Sequence, residues 1–217
     1  MADAVILLTG FEPFGGEAIN PSWEVARALH GAQVGESRVV ALQLPCRFGE
    51  AGAALQSAIE RHRPAWVLAL GQAAGRSDFS IERIAINVDD ARIADNAEAR
   101  PIDQPVVEGG PAAYFATLPI KAMVAGLRAA GLPASVSNSA GTFVCNHVFY
   151  ALMHELRGAP AVRAGFMHLP LLPEQAARQA GQASMPLNLM VSGVQEALRI
   201  AVTHQGEDML LSDGRIA

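Results

Sequence analysis

Chemistry is concentrated in the run Ser139-Ala140-Gly141-Thr142-Phe143-Val144-Cys145-Asn146-His147, which sets one of only two cysteines at a predicted strand-to-helix junction. Residues 134–138 are short and partly β-branched, whereas Val144, Val148, Ala151, Leu152 and Leu156 recur at helical spacing over 144–157. Cys145 is therefore expected in a first helical turn. There, unpaired backbone amides and the positive end of the helix dipole favour a thiolate and lower the thiol pKa. Such a thiol is a nucleophile; the competing reading is a small buried apolar residue.

A thiol nucleophile needs a base to take its proton and pass it to the leaving group, and a third group to orient that base. His168, within Gly165-Phe166-Met167-His168-Leu169-Pro170, follows an apolar stretch beginning near Val162. That places it at the carboxyl end of a predicted strand, where open α/β sheets carry their sites. Its apolar neighbours suit a satisfied core histidine equally well. His30, His62 and His204 lie near the ends of amphipathic helices, His154 lies on the body of one, and His147 faces another side of the Cys145 helix. Residue types leave the acid open among Glu82, Asp89, Asp90 and Asp95. The segment 82–92 starts by alternating polar and apolar residues, the pattern of an exposed strand on which Glu82 is a solvated carboxylate.

Five ordered strings carry a resemblance. They are Thr9-Gly10-Phe11-Glu12-Pro13-Phe14-Gly15-Gly16 with Asn20-Pro21-Ser22; Gly71-Gln72-Ala73-Ala74-Gly75-Arg76; Glu82-Arg83-Ile84-Ala85-Ile86-Asn87; the Cys145 run; and the His168 run. Together, over nearly the whole chain, they resemble the pyrrolidone-carboxylate peptidases, also called type I pyroglutamyl peptidases. The resemblance implies a cytoplasmic cysteine exopeptidase that removes an N-terminal pyroglutamyl residue from peptides through a thioester acyl-enzyme. It implies a triad of Glu82, Cys145 and His168 and no cofactor or metal. It further implies Phe11 and Phe14 against the lactam ring, Phe143 and Val144 as apolar wall, and the Gln72 backbone on the lactam. The Cys145 amide and Arg92 would meet the oxyanion, and the subunits would form a homotetramer. Two alternatives stay open on the residues themselves: Phe11 and Phe14 as loop-anchoring core, and Arg92 paired with Asp89 and Asp90. Four departures from the family pattern stand at Ala74, Ala94, residues 97–100 and Cys46, where glycine, proline, a more asparagine- and glycine-rich loop and a small residue such as threonine are usual.

The elements that must position these groups alternate. Residues 5–9 read as a buried strand with a turn-rich loop after it, and Asn20-Pro21 as an N-cap with proline opening a helix to about Leu29. Further strands are expected over 39–44, 66–70 and 134–138 and at His168. Helices are expected over 49–62, 119–130 (closed by Gly131), 144–157 and 187–203. The alternation predicts an α/β fold, a three-layer α/β/α sandwich with a mostly parallel central sheet. All 217 residues are expected in one peptidase domain with a polar tail from about 205. Residues 104–120 form an apolar loop suited to a subunit interface.

Composition narrows the function classes. A net charge of −5 with scattered cations offers no face for nucleic acid. Histidine and cysteine spacings match no metal motif, and Asp89, Asp90 and Asp95 lack the spacing of a calcium loop. No apolar run approaches the ~20 residues that cross a bilayer, and Met1-Ala2-Asp3-Ala4 lacks the basic start of a leader, so neither a membrane nor export is expected. Two cysteines about a hundred positions apart suit a reducing cytoplasm. The Gly15-Gly16 and Gly71–Gly75 loops lack the phosphate-cradle spacings. Two rival readings remain: a cysteine amidase, which would want a glycine-flanked nucleophile elbow absent here, and a catalytically silent binding module, which would not need Glu82, Cys145 and His168 together.

Overall fold

Strands apolar on both faces must be covered on both, and this chain interleaves such strands with helices that cover them. The computed structural model describes residues 4–214; residues 1–3, part of the start weighed for a leader, and the last three of the expected tail lie outside it. The order is β1 (Ala4–Phe11), α1 (Pro21–Ala28), β2 (Gln33–Val34), β3 (Ser37–Leu44), α2 (Glu50–His62), β4 (Trp66–Gln72), β5 (Phe79–Glu82), β6 (Ile84–Ile86) and β7 (Ala113–Phe115). There follow α3 (Ile120–Ala129), β8 (Ala134–Ser137), α4 (Val144–Glu155), β9 (Arg163–Leu169), α5 (Pro173–Ala176) and α6 (Leu187–Thr203).

Seven strands form one sheet in the order β2-β3-β1-β4-β9-β5-β8. The pairs β1–β3, β1–β4, β4–β9 and β5–β8 are parallel; β2–β3 and β5–β9 are antiparallel. Period-two alternation divides the strand residues between two cores. Ile6, Leu8, Leu68, Leu70, Met167 and Leu169 pack with Val25 of α1, Met123 of α3 and Val194 of α6. Leu7, Val67, Ala69 and Phe166 pack with Leu55 of α2 and Val148 and Leu152 of α4. The mostly parallel α/β/α sandwich expected from the sequence is thus the fold.

Local signals act as predicted at several ends. Asn20 caps α1, its Oδ1 accepting from the Ser22 amide at 3.1 Å. Gly131, at φ 76°, follows α3 and takes the left-handed conformation that glycine tolerates. A Cβ on Gly10 would fall 2.3 Å from the Ser22 carbonyl oxygen, so α1 starts directly against the end of β1.

Two expectations change. Glu82 is no solvated carboxylate on an exposed strand: it ends β5, which lies between β9 and β8 with all four residues buried, while Ile84–Ile86 of the same segment form the separate, half-buried strand β6. The short polar pattern of β5 misleads because Ser80 and Glu82 face a site, not solvent. The stretch 104–120 contains β7, which pairs with β6. The described part of the polar tail packs on the domain. The Asp208 carboxylate accepts from the Lys121 and Ala122 amides at 2.8 and 3.0 Å, capping α3. Asp213 accepts from Val136 of the edge strand β8 at 3.4 Å and pairs with Arg128 at 2.6 Å.

Candidate active site

Three adjacent strands assemble the site. Gly71 of β4 pairs with His168 of β9, and across the antiparallel junction Ser80 pairs with His168 and Glu82 with Phe166. Directly paired residues share a face, so Glu82 and His168 project to the side covered by α2 and α4. His168 Nδ1 lies 2.7 Å from Glu82 Oε1. Glu82 is fully buried and His168 is 4% exposed, so little water competes for the bond. An ionised carboxylate only accepts; Nδ1 therefore carries the hydrogen, and Nε2 is the free basic position.

Cys145 occupies the first turn of α4, as its spacing predicted. Its position against the sheet follows from Gly71: a Cβ there would fall 2.9 Å from Cys145 Sγ and 2.8 Å from the Phe166 ring. The sulfur rests over a glycine whose strand partner is His168, in space that any side chain would fill. Phe143 precedes α4 in extended conformation and supplies no side-chain cap, so the first amides of the helix are not taken up by a capping side chain. Burial pushes the Cys145 thiol up in pKa, Cys46 and Glu82 push it further, and Arg76 pulls it down. Burial thus works against the lowering expected from the helix start. The thiolate forms only where the proton has somewhere close to go. Cys46, also a free thiol, is pushed up to about 12 by burial and by Glu12 and Asp95.

Arg76 was not singled out by residue type. Its guanidinium donates to Glu82 Oε1 at 2.8 Å and to the Ser139 carbonyl at 3.2 Å, tying the acid to the loop that enters α4. Glu82 Oε1 therefore takes two hydrogen bonds, while Oε2 is buried without a hydrogen-bond partner among the described residues. Arg76 lies six residues before Glu82, a proximity visible in the sequence that carries no meaning until the strand is placed.

The other acids go elsewhere. Asp89 pairs with His147, Asp90 is exposed, and Asp95 accepts from the Phe48, Ala97 and Ala99 amides. Phe11 is buried, its ring 6.5 Å from that of Phe166, and Ser22 Oγ accepts from its amide. Phe14 and Phe143 are half-buried with ring centroids 6.0 Å apart, and Phe48, which the residue pattern did not suggest, stands edge-on to Phe143 at 5.4 Å. Val144 is fully buried. Gln72 Oε1 accepts from Gln175 at 3.0 Å, which fixes the end of β4. Arg92 is exposed and forms no ion pair with Asp89 or Asp90; it lines a cleft of about 570 Å³ with Asp90, Arg100 and Thr142, beside the entry to α4. Of the departures, Ala74 and Ala94 are exposed, whereas Cys46 is buried against the aromatic cluster. Among the described residues no group of three or more His, Cys, Asp or Glu is disposed to hold a metal ion.

A thiol at a helix start, a histidine oriented by a buried carboxylate, and a doubly covered parallel sheet together define an α/β cysteine hydrolase. Comparison with known proteins narrows the class. Residues 4–204 match the family described as pyroglutamyl peptidase. A pyrrolidone-carboxylate peptidase of Cupriavidus taiwanensis is 61% identical over 204 residues, covering 93% of this chain and 94% of its own. That of Chromobacterium violaceum is 57% identical, covering 97% and 98%. The crystal structure of pyroglutamyl peptidase I from Bacillus amyloliquefaciens superposes with a TM-score of 0.93 at 43% identity, covering 97% of this chain and all of that one. The pyrrolidone carboxyl peptidase of Thermococcus litoralis gives 0.93 at 35%, covering 96% and 99%. The chain belongs to the pyroglutamyl peptidase family of cysteine peptidases.

Proposed function

We propose that this chain hydrolyses the amide bond after an N-terminal pyroglutamyl residue with Cys145 as nucleophile, His168 as acid and base, and Glu82 as the group that orients His168. The observation that carries the assignment is the 2.7 Å Glu82–His168 bond with Cys145 Sγ over Gly71, the strand partner of His168. His168 Nε2 takes the thiol proton as the sulfur attacks the pyroglutamyl carbonyl carbon. The buried ion pair that results is favoured by Glu82 beneath the imidazolium. The oxyanion meets the Cys145 amide at the start of α4, with Arg92 as a second donor; one such donor is commonly worth about 2.7–4 kcal/mol. His168 then gives the proton to the departing amine nitrogen, the C–N bond breaks and a thioester remains. Water, deprotonated by His168, attacks the thioester; pyroglutamate leaves and the thiol is restored.

The lactam has no charged amine, so recognition rests on shape and amide hydrogen bonds. Phe11, Phe14, Phe143 and Val144 form the wall, and the Gln72 backbone reads the lactam amide. The enzyme works as one catalytic domain in the cytoplasm, where a reducing environment keeps Cys145 and Cys46 as thiols. It assembles as a homotetramer. Phe115, within the 104–120 segment, and Ile102, just before it, are 65% and 70% exposed and support that reading. Light scattering of parent and Phe115→Glu protein checks it; a parent monomer at micromolar concentration sinks it.

The activity is tested by hydrolysis of a pyroglutamyl-aminocoumarin beside its prolyl and glutamyl counterparts. Release from the pyroglutamyl compound alone is expected, lost on alkylation and in a folded Cys145→Ala variant. Substantial turnover by that variant removes Cys145 as nucleophile; no turnover by folded, reduced parent leaves a silent binding module.

A further inference from the structure

His147 lies two residues beyond the nucleophile yet takes no part in the proposed chemistry. It is 8% exposed, and both its ring nitrogens are engaged. Nδ1 lies 2.7 Å from Asp89 Oδ2, and Nε2 lies 3.1 Å from the backbone nitrogen of Gly49. A backbone N–H only donates and a carboxylate only accepts, so this imidazole is the neutral tautomer with its hydrogen on Nδ1. Asp89 is itself fixed: it exchanges both backbone hydrogen bonds with Gln104, at 2.7 and 3.0 Å. What His147 holds is the 48–49 loop. The Phe48 ring stands edge-on to the His147 ring at 5.6 Å and edge-on to Phe143 at 5.4 Å, and Phe143 in turn lies 6.0 Å from Phe14. The rings form a continuous row from the Asp89–His147 pair to Phe143 and Phe14, two residues of the proposed lactam wall.

Resting on the functional reading above, we infer that His147 is a positioning residue for specificity: by accepting from Gly49 it sets Phe48, and through Phe48 the spacing of Phe143 and Phe14 around the lactam ring. Its effect belongs to substrate binding and leaves the Cys145–His168 chemistry alone.

The two halves of the ring can be separated. Glutamine reproduces the Nε2 acceptor toward Gly49, asparagine reproduces the Nδ1 donor toward Asp89, and alanine keeps neither. His147→Ala and His147→Asn are expected to raise KM for a pyroglutamyl-aminocoumarin about tenfold with kcat within about threefold, the scale of one lost buried hydrogen bond. His147→Gln is expected to stay within about twofold of the parent KM. Phe48→Leu, which leaves the histidine pair intact, should raise KM in the same way and serves if the alanine variant fails to fold. A series in which KM stays flat, in which glutamine is as damaging as alanine, or in which kcat carries the loss, overturns the inference. A parent with no pyroglutamyl hydrolysis overturns the functional reading and this inference with it, whereas an active parent with a flat series overturns the inference alone.

Discussion

Cys145 stands between opposing electrostatic influences, and the balance explains why its neighbours matter more than its place on a helix. Burial, Cys46 and Glu82 all favour the neutral thiol; Arg76 is the cation that opposes them. Arg76 also shares Glu82 Oε1 with His168. Arg76→Ala is therefore expected to lower kcat with KM nearly unchanged. Loss of a hydrogen bond to a charged partner costs about 1.5–3 kcal/mol, or roughly 10- to 150-fold in rate. Steady-state kinetics decide this, together with the pH dependence of iodoacetamide labelling, which should move to higher pH. A shift in KM alone would remove Arg76 from the triad's support. Gly71→Ala probes the other side of the sulfur. With a methyl 2.9 Å from Sγ and 2.8 Å from the Phe166 ring, both contacts must give. We expect a kcat loss of at least about 10²-fold, the scale set by a misplacement of 1 Å, in a folded protein. Parent-like kcat would show that the sulfur does not work from that position. Of these residues, Cys145 and His168 were legible from type and context, because few groups do thiol chemistry. By residue type Glu82 stood among four acids, and only the family resemblance named it; Arg76 stood among many arginines until the fold set its guanidinium on Glu82.

At the scale of elements, α4 does more than present a thiol. Asn146, fully buried, accepts from the Ile86 amide at 3.0 Å and donates to the Ile86 and Val88 carbonyls at 2.9 and 3.0 Å. One side chain thus satisfies three backbone groups and fixes the segment that runs on to Asp89 and Arg92. Thr142 adds a hydroxyl bond to the Asp90 carbonyl at 2.8 Å, and its own carbonyl accepts from the Asp90 amide. Asn146→Ala leaves those groups unpaired and should cost about 1–3 kcal/mol of stability for each that water cannot reach. Denaturant unfolding measures it; a change below about 0.5 kcal/mol would mean that the segment finds other partners. The helix itself was readable from its apolar spacing, as were α1 and its Asn20 cap. The strand β5 was not, because four buried residues, two facing the site and two the opposite core, carry too little periodicity to separate them from a polar loop.

At the scale of the molecule, Asp208 and Asp213 tie the last described residues to α3 and the edge strand β8. Burial works against ionisation of Asp213, but the Val136 and Gly214 amides and Arg128 outweigh it and hold the carboxyl below the usual carboxylate range. A carboxyl depressed by folding contributes stability above its unfolded pKa and loses it as pH falls through the folded value. Asp213→Asn is therefore expected to lower Tm at pH 7 by a few degrees, with the gap from the parent closing as the pH falls below about 4. A gap constant with pH would assign the loss to packing. A tail that packs was not foreseen, since polar residues near a terminus look the same docked or free. The sequence by itself determined the α/β/α alternation, the place of Cys145 in a first helical turn and the family resemblance. These are matters of local period, turn chemistry and ordered motifs. The tertiary structure alone decided the rest: that β5 runs antiparallel to β9 and so sets Glu82 against His168, that Gly71 makes room for the sulfur, that burial pushes the thiol pKa up, and that His147 ties Asp89 to the 48–49 loop. Each depends on distances between residues far apart in the chain, and local pattern carries no record of them.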